Sequence, residues 1–237
     1  MDPAIVAGFV ATSSPRKRAR ISKSAKPYHH GDLGNALLQA AVEVIEQHGV
    51  AELKMRDLTR RLGVSHGAPA NHFKDRNDLL VALGVQGFER LTEYQRAARD
   101  REHATPMEAL NAIGVAYVEF ARDNPAHFEV MFQRGLLNNP ALAAAAAACF
   151  QQLLETIAPV SPARASTATQ RDRDLTALGS WALVHGLAML HVQRILPGGA
   201  AADVAGITKR VLTAMTQLAS ATVAPKPKPQ RARSGKG

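Results

Sequence analysis

Apolar residues recur every three to four positions along most of the chain, and residues that start or stop helices bound each stripe. Leu33, Leu37, Ala40, Ala41, Val44 and Ile45 form a 3.6-period stripe, which predicts a helix opened by Asp32 and closed by Gly49. Met55, Leu58 and Leu62 predict a short second helix ending at Gly63. A third is expected from an N-cap at Ser65 to about Phe73, and a fourth from Asp75, with Asp78 in its first turn, to about Arg99. Thr105-Pro106-Met107-Glu108 joins a capping threonine, a proline at the first helical position and an acid at the third. Asn124-Pro125 and Asn139-Pro140 repeat the cap-then-proline signal. After a Ser/Pro/Thr-rich break at 159–169, long helices are expected over 171–196 and 201–222, separated by Pro197-Gly198-Gly199. No segment alternates as strands do, and β-branched residues are sparse. The expected fold is all-α with about nine helices, three or four short ones followed by five longer ones.

The flanks lack any such period. Residues 1–27 mix serine, proline and basic side chains, and 225–237 read PKPKPQRARSGKG; neither can bury a core, so both are expected to be disordered basic arms. They hold the charge. Of the net +9, Arg16, Lys17, Arg18, Arg20, Lys23 and Lys26 supply six, and Lys226, Lys228, Arg231, Arg233 and Lys236 supply five, which leaves the body close to neutral. A polyanionic partner therefore needs a local surface on the body, not its overall charge. One cysteine, Cys149, and no Cys/His cluster at zinc spacing point to a reduced compartment and no structural metal. Charge interrupts the apolar runs short of the ~18 residues of a membrane span, and the basic cluster follows the apolar stretch 5–11, the reverse of a signal peptide. A cytoplasmic protein without membrane contact is expected. No paired carboxylates, Ser/His/Asp set or Gly-rich phosphate loop stands at catalytic spacing, so neither an enzyme nor a cofactor is expected.

The stretch MRDLTRRLGVSHGAPANHF, residues 55–73, has the shape of a helix-turn-helix. Met55, Leu58, Leu62, Val64 and Phe73 can pack two short helices at a steep angle, with Gly63 supplying a left-handed turn. The second helix would show His66, Gly67, Ala68 and Asn71, small and polar residues suited to a major groove. Lys54, Arg56, Arg60, Arg61, Lys74 and Arg76 ring the unit and can neutralise phosphates. A small helical hairpin with solvated charges fits the same pattern.

The run YHHGDLGNALLQAAVEVIEQHG followed by MRDLTRRLGVSHGAPANHFKDRNDLLVAL resembles the DNA-binding domain of the tetracycline-repressor (TetR/AcrR) family. The segments AIGVAYVEFARDNPAHFEVMF and SWALVHGLAML resemble the C-terminal ligand-binding domain of the subgroup with a Trp-His-Gly signature, matched by Trp181, His185 and Gly186. The resemblance implies a homodimeric, ligand-responsive transcription factor, usually a repressor, that binds an operator palindrome in double-stranded DNA and leaves it when a small molecule is bound. It divides the chain into the arm 1–27, a DNA-binding domain 28–75, a ligand-binding and dimerisation domain 76–224 and the tail 225–237. Carried over position by position, it maps the recognition helix to 66–72 and a phosphate contact to Lys74; with the residues read from the pattern, the expected DNA-binding set is Lys54, Arg56, Ser65, His66, Gly67, Ala68, Asn71, His72 and Lys74. Two positions depart from the family pattern. Ala70 stands where a tyrosine usually touches a phosphate, and Lys54 stands where serine or threonine usually caps the second helix. Pro69 removes one backbone donor, at the first position that would bond within the helix.

In the sensing half, Met107, Leu110, Ile113, Tyr117 and Phe120 share one stripe. Together with Phe128, Met131, Phe132, Trp181 and His185 they can line an apolar cavity that holds an effector, with His185 as its orienting polar group. The same residues also suit plain core packing. Met189, Val192 and Ile195, then Val204, Ile207, Val211, Met215 and Leu218, give seams spaced near 3.5 residues, as two helices from each of two subunits need to form a four-helix dimer bundle.

Overall fold

The computed structural model describes residues 33–160, 170–196 and 203–222; both basic arms lie outside them. All regular structure among the described residues is helical, as the sequence predicts. The helices are α1 (Leu33–His48), α2 (Met55–Leu62), α3 (Arg76–Arg99), α4 (Pro106–Asp123), α5 (Pro125–Met131), α6 (Pro140–Ile157), α7 (Gln170–Val192) and α8 (Val204–Thr222). Two 3₁₀ segments, Val50–Glu52 and Ala68–Asn71, flank α2.

Local chemistry sets several of the borders. The Asp78 N–H donates to the Asp75 carboxylate at 2.9 Å, and the Asp78 carboxylate accepts from the Lys74 N–H at 3.0 Å. Thr105 accepts from the Glu108 N–H at 3.2 Å while Glu108 accepts from the Thr105 N–H at 3.1 Å, a reciprocal capping box. Asn139 caps α6 through the Ala141 N–H. Asn124, expected to cap α5, makes no side-chain cap there; its amide turns back to the Phe120 carbonyl and closes α4. Gly63 ends α2 in the left-handed region, φ 69°, where a side chain would be strained.

The third helix differs most from expectation. Ser65 makes no side-chain cap, and the segment over 68–71 is 3₁₀, not α. Proline explains it. Pro69 has no N–H to return to Ser65, so the Ala68 N–H takes that carbonyl at 3.1 Å and the turn tightens to an i to i−3 pattern. Pro69 itself is buried and anchors the segment.

α4 runs through the centre of the larger body, with α3, α7 and α8 packed on it. α3 passes close to α5 at Gly87, where an added Cβ would lie 2.6 Å from Met131 Sδ. One expectation about apolar runs needs correction. The stretch Arg173–Val192 of α7 has a mean hydropathy of 1.4 and is long and apolar enough to cross a membrane. Its buried residues Ala177, Val184 and Ala188 face the core, while Leu175 and Leu190 on its other side are exposed.

Candidate nucleic-acid interface and sensing cavity

The head is built by α1, α2 and the 3₁₀ segment, with Leu37, Ala41, Leu53 and Leu58 buried between them. Lys54, Arg56, Ser65, His66, Gly67, Asn71, His72 and Lys74 are all exposed, and Ala68 is half-buried. The cations divide into two groups. Arg61 pairs with Glu43, Arg60 pairs with Asp57 at 2.8 Å, and Arg76 donates to the Leu53 and Val50 carbonyls at 2.9 and 2.6 Å. Arg76 is therefore a clamp between α3 and the turn before α2, not a free phosphate ligand. Lys54 lies 3.9 Å from Glu52 and leaves α2 without a side-chain cap. Arg56 and Lys74 make no ion pair among the described residues.

Two histidines of the head are held from inside. His66 Nδ1 lies 3.3 Å from the hydroxyl of buried Thr59, whose proton goes to the Arg56 carbonyl. The His72 ring lies over Gly34 of α1, where a Cβ would come within 3.2 Å of Nδ1. His66 and Asn71 keep exposed edges for readout, whereas His72 is partly occupied in joining the segment to α1.

Behind the head, a cavity of about 420 Å³ lies between α3, α4, α6 and α7. Tyr117 and Trp181 reach it, with Phe88, Leu91, Ile113, Phe132, Phe150 and Leu153. Phe128, Met131 and His185, expected in the ligand set, do not line it. Phe128 and Met131 are sealed in the core, and His185 stacks among Phe128, Phe132 and Trp181. Trp181 Nε1 donates to the Tyr117 oxygen at 3.3 Å, and the Tyr117 hydroxyl lies 2.8 Å from His185 Nδ1. Indole N–H can only donate, so the phenol oxygen accepts from it, and the phenol and Nδ1 share the second hydrogen bond. Burial lowers the His185 pKa and favours the neutral ring. Burial pushes the Tyr117 pKa upward, so the phenol stays protonated.

Sequence reasoning missed two features of this region. Gln95 of α3 lines the cavity at 6% exposure, on the apolar row of Phe88, Leu91 and Ala98, and this polar break in the stripe was its signal. Glu129 of α5 accepts from the Val50 N–H at 3.3 Å, linking the sensing body to the head. No spacing pattern announces a contact across 79 residues. A second, more open groove of about 960 Å³, with mixed charges from Glu93, Arg101, Glu102 and Lys209, lies between α3, α4 and α8.

Of the expected dimer seam, Met189, Val192, Ile207 and Val211 are half-buried, and Met215 and Leu218 are exposed, Leu218 at 63%. Val204 is 3% exposed and belongs to the protomer's own core. The α7 side adds Leu175, at 57%, and Leu190, while exposed Leu178 borders the cavity.

The family model for bacterial regulatory proteins of the tetR family matches residues 37–83, and the model for a tetracyclin repressor-like C-terminal domain matches 110–221. The nucleoid occlusion factor SlmA of Haemophilus ducreyi is 29% identical over 91 residues, 38% of this chain and 45% of that protein. The HTH-type transcriptional regulator CymR of Pseudomonas putida is 30% identical over 84 residues, 35% of this chain and 38% of that protein. The chain thus spans less than half the length of these two relatives. A solved structure of a protein of unknown function from Rhodococcus sp. RHA1 is 29% identical with a TM-score of 0.67, covering 85% of this chain and 100% of that one.

Proposed function

From a chain that belongs to the tetR family of bacterial regulatory proteins, we propose a DNA-binding transcriptional repressor that acts as a homodimer on a palindromic operator and is released by a small molecule. The observation that carries this reading is the exposed face of α2 and the 3₁₀ segment, where Arg56 and Lys74 stand uncommitted beside the polar edges of His66 and Asn71. Phosphates would meet Arg56, Lys74 and Lys54, and base edges would meet His66, Asn71 and the small residues Gly67 and Ala68. Ser65 lies at the mouth of the segment and serves it through its carbonyl. Two such heads on a two-fold dimer read half-sites about 34–36 Å apart.

The effector site is the 420 Å³ cavity. Trp181, His185 and Gly186 support assignment to the Trp-His-Gly subgroup, since Trp181 and His185 share one hydrogen-bonded cluster with Tyr117 on the cavity wall. Release requires an effector with a higher affinity for the spacing of heads that does not fit DNA, because equal affinity for both states shifts nothing. Such a protein acts on DNA in the cytoplasm.

Fluorescence anisotropy on its promoter-proximal DNA against scrambled DNA, at two salt concentrations and with residues 1–26 present or deleted, tests the reading. A preference for one palindromic fragment that survives the deletion supports it. Equal, steeply salt-dependent binding of both DNAs that disappears with the arm overturns it in favour of a charge-driven binder.

A further inference from the structure

We infer that the cavity takes an uncharged molecule of about 10 to 15 non-hydrogen atoms, an aromatic or alicyclic body bearing one hydrogen-bond acceptor that is received by the side-chain amide of Gln95. The inference rests on the effector reading above and adds the chemistry of the effector. Among the described residues no Asp, Glu, Lys, Arg or His lines the cavity, so a charged group brought into it would lose its hydration and gain no counter-charge from them. Five aromatic rings do line it: Phe88, Tyr117, Phe132, Phe150 and Trp181. Phe132 lies between Phe88 and Trp181, with ring centroids 5.7 and 6.3 Å away, a wall suited to flat or cyclic hydrocarbon.

Apart from Ser180 on α7, the polar functions of the wall are already committed, with one exception. The Trp181 N–H and the Tyr117 hydroxyl serve each other and His185. The Cys149 thiol donates to Gln95 Oε1 at 3.6 Å, which turns the amide nitrogen away from Cys149. Burial raises the Cys149 pKa and keeps that sulfur protonated, so it remains a donor. Gln95 Nε2 makes no hydrogen bond to the described residues, and it is not among the atoms sealed without a partner, so the space it faces is the cavity. Water in the cavity can accept from this donor, and a ligand that displaces the water must do the same. A ligand carbonyl or ether oxygen does so, while a purely hydrocarbon ligand leaves it unmet.

Three probes of one shape separate the alternatives: 2-acetylnaphthalene, 2-ethylnaphthalene and 2-naphthoate. Binding of each to the full chain is measured by calorimetry and by the fluorescence of Trp181, the sole tryptophan. The ketone is expected to bind about tenfold more tightly than the hydrocarbon, and the carboxylate more weakly than either. Gln95→Met, close in volume and without a donor, is expected to bring the ketone down to the hydrocarbon's affinity. Equal binding of ketone and hydrocarbon, a ketone advantage that survives Gln95→Met, tightest binding of the carboxylate, or no binding of any probe overturns the inference. Anisotropy on promoter DNA, run on the same samples, reads the regulator function separately. Probe selectivity without DNA binding overturns that reading and leaves this one standing.

Discussion

The Tyr117 hydroxyl and His185 Nδ1 lie 2.8 Å apart, joining the central helix α4 to α7 at the inner wall of the cavity. The bond holds His185, as a neutral ring, behind the wall that Tyr117 and Trp181 form. Tyr117→Phe removes the shared oxygen and leaves Trp181 Nε1 and His185 Nδ1 without their partner. A loss of about 2 kcal/mol follows, a fall in Tm of roughly 4 to 8 °C, accompanied by a changed Trp181 emission. A variant as stable as the parent, with unchanged emission, would show that the bond does not hold the wall.

The cations of the head are predicted to separate by experiment. Arg56→Ala with Lys74→Ala is expected to weaken binding to all DNA sequences alike and to reduce the slope of log K against log salt by about 2 per protomer. Stability should stay within about 0.5 kcal/mol, since both are exposed and unpaired. Arg76→Ala removes the bonds to the Leu53 and Val50 carbonyls and is expected to lower stability by about 2 kcal/mol. Thermal melts and salt titrations on the two variants check this, and equal melting temperatures would remove Arg76 from its role as a clamp.

Where the governing chemistry is local, the sequence was legible. Thr105 and Glu108, or Asp75 and Asp78, settle a helix start within four residues, and the structure shows those bonds. The Ser65 cap was illegible for an equally local reason, because Pro69 diverts the Ser65 carbonyl to Ala68 and tightens the turn. Spacing near 3.5 aligned Val204, Ile207, Val211, Met215 and Leu218 along one seam of α8 without telling which of them the protomer's own core takes. Val204 and Thr208 are buried, with Leu212 packed on the same core, whereas Met215 and Leu218, further along the helix, are exposed. The Trp-His-Gly motif places Trp181 and His185 on one helix, yet their meeting with Tyr117, more than 60 residues earlier, belongs to the packing of α4 on α7.

His127 gives the protein an acid-side weakness. The side chain is 2% exposed, with Nε2 3.0 Å from Gln86 Oε1, and burial, with Arg90 adding repulsion, lowers its pKa to about 4. The unfolded chain holds a proton on this ring below its ordinary pKa of about 6.5, while the folded protein takes one only near 4. Stability therefore falls as the pH drops from about 6.5 to 4, by about 2 to 3 kcal/mol from this group, and levels off below. Burial lowers the His185 and His191 pKa values too, so they act in the same direction. Melts between pH 4 and 7 on the parent and on His127→Gln should show part of this slope removed. An unchanged slope would assign it to other groups.

The unpartnered sides of α7 and α8 lead to the last prediction. Leu175 on α7 and Met215 on α8 are large, apolar and exposed on helices that also supply core residues, and water on both costs free energy that a second protomer recovers. Leu175→Glu with Met215→Glu places like charges from both subunits at a two-fold seam, where each variant residue meets a copy of the same surface. Sedimentation of the parent should report a dimer and that of the double variant a monomer, and operator affinity should fall because one head reaches only one half-site. Val204→Ala is the counterpart. It opens space inside the protomer, so it is expected to lower Tm by roughly 4 to 8 °C for a loss of about 2 kcal/mol while the dimer persists. A double variant that still sediments as a dimer would move the seam away from these sides of α7 and α8.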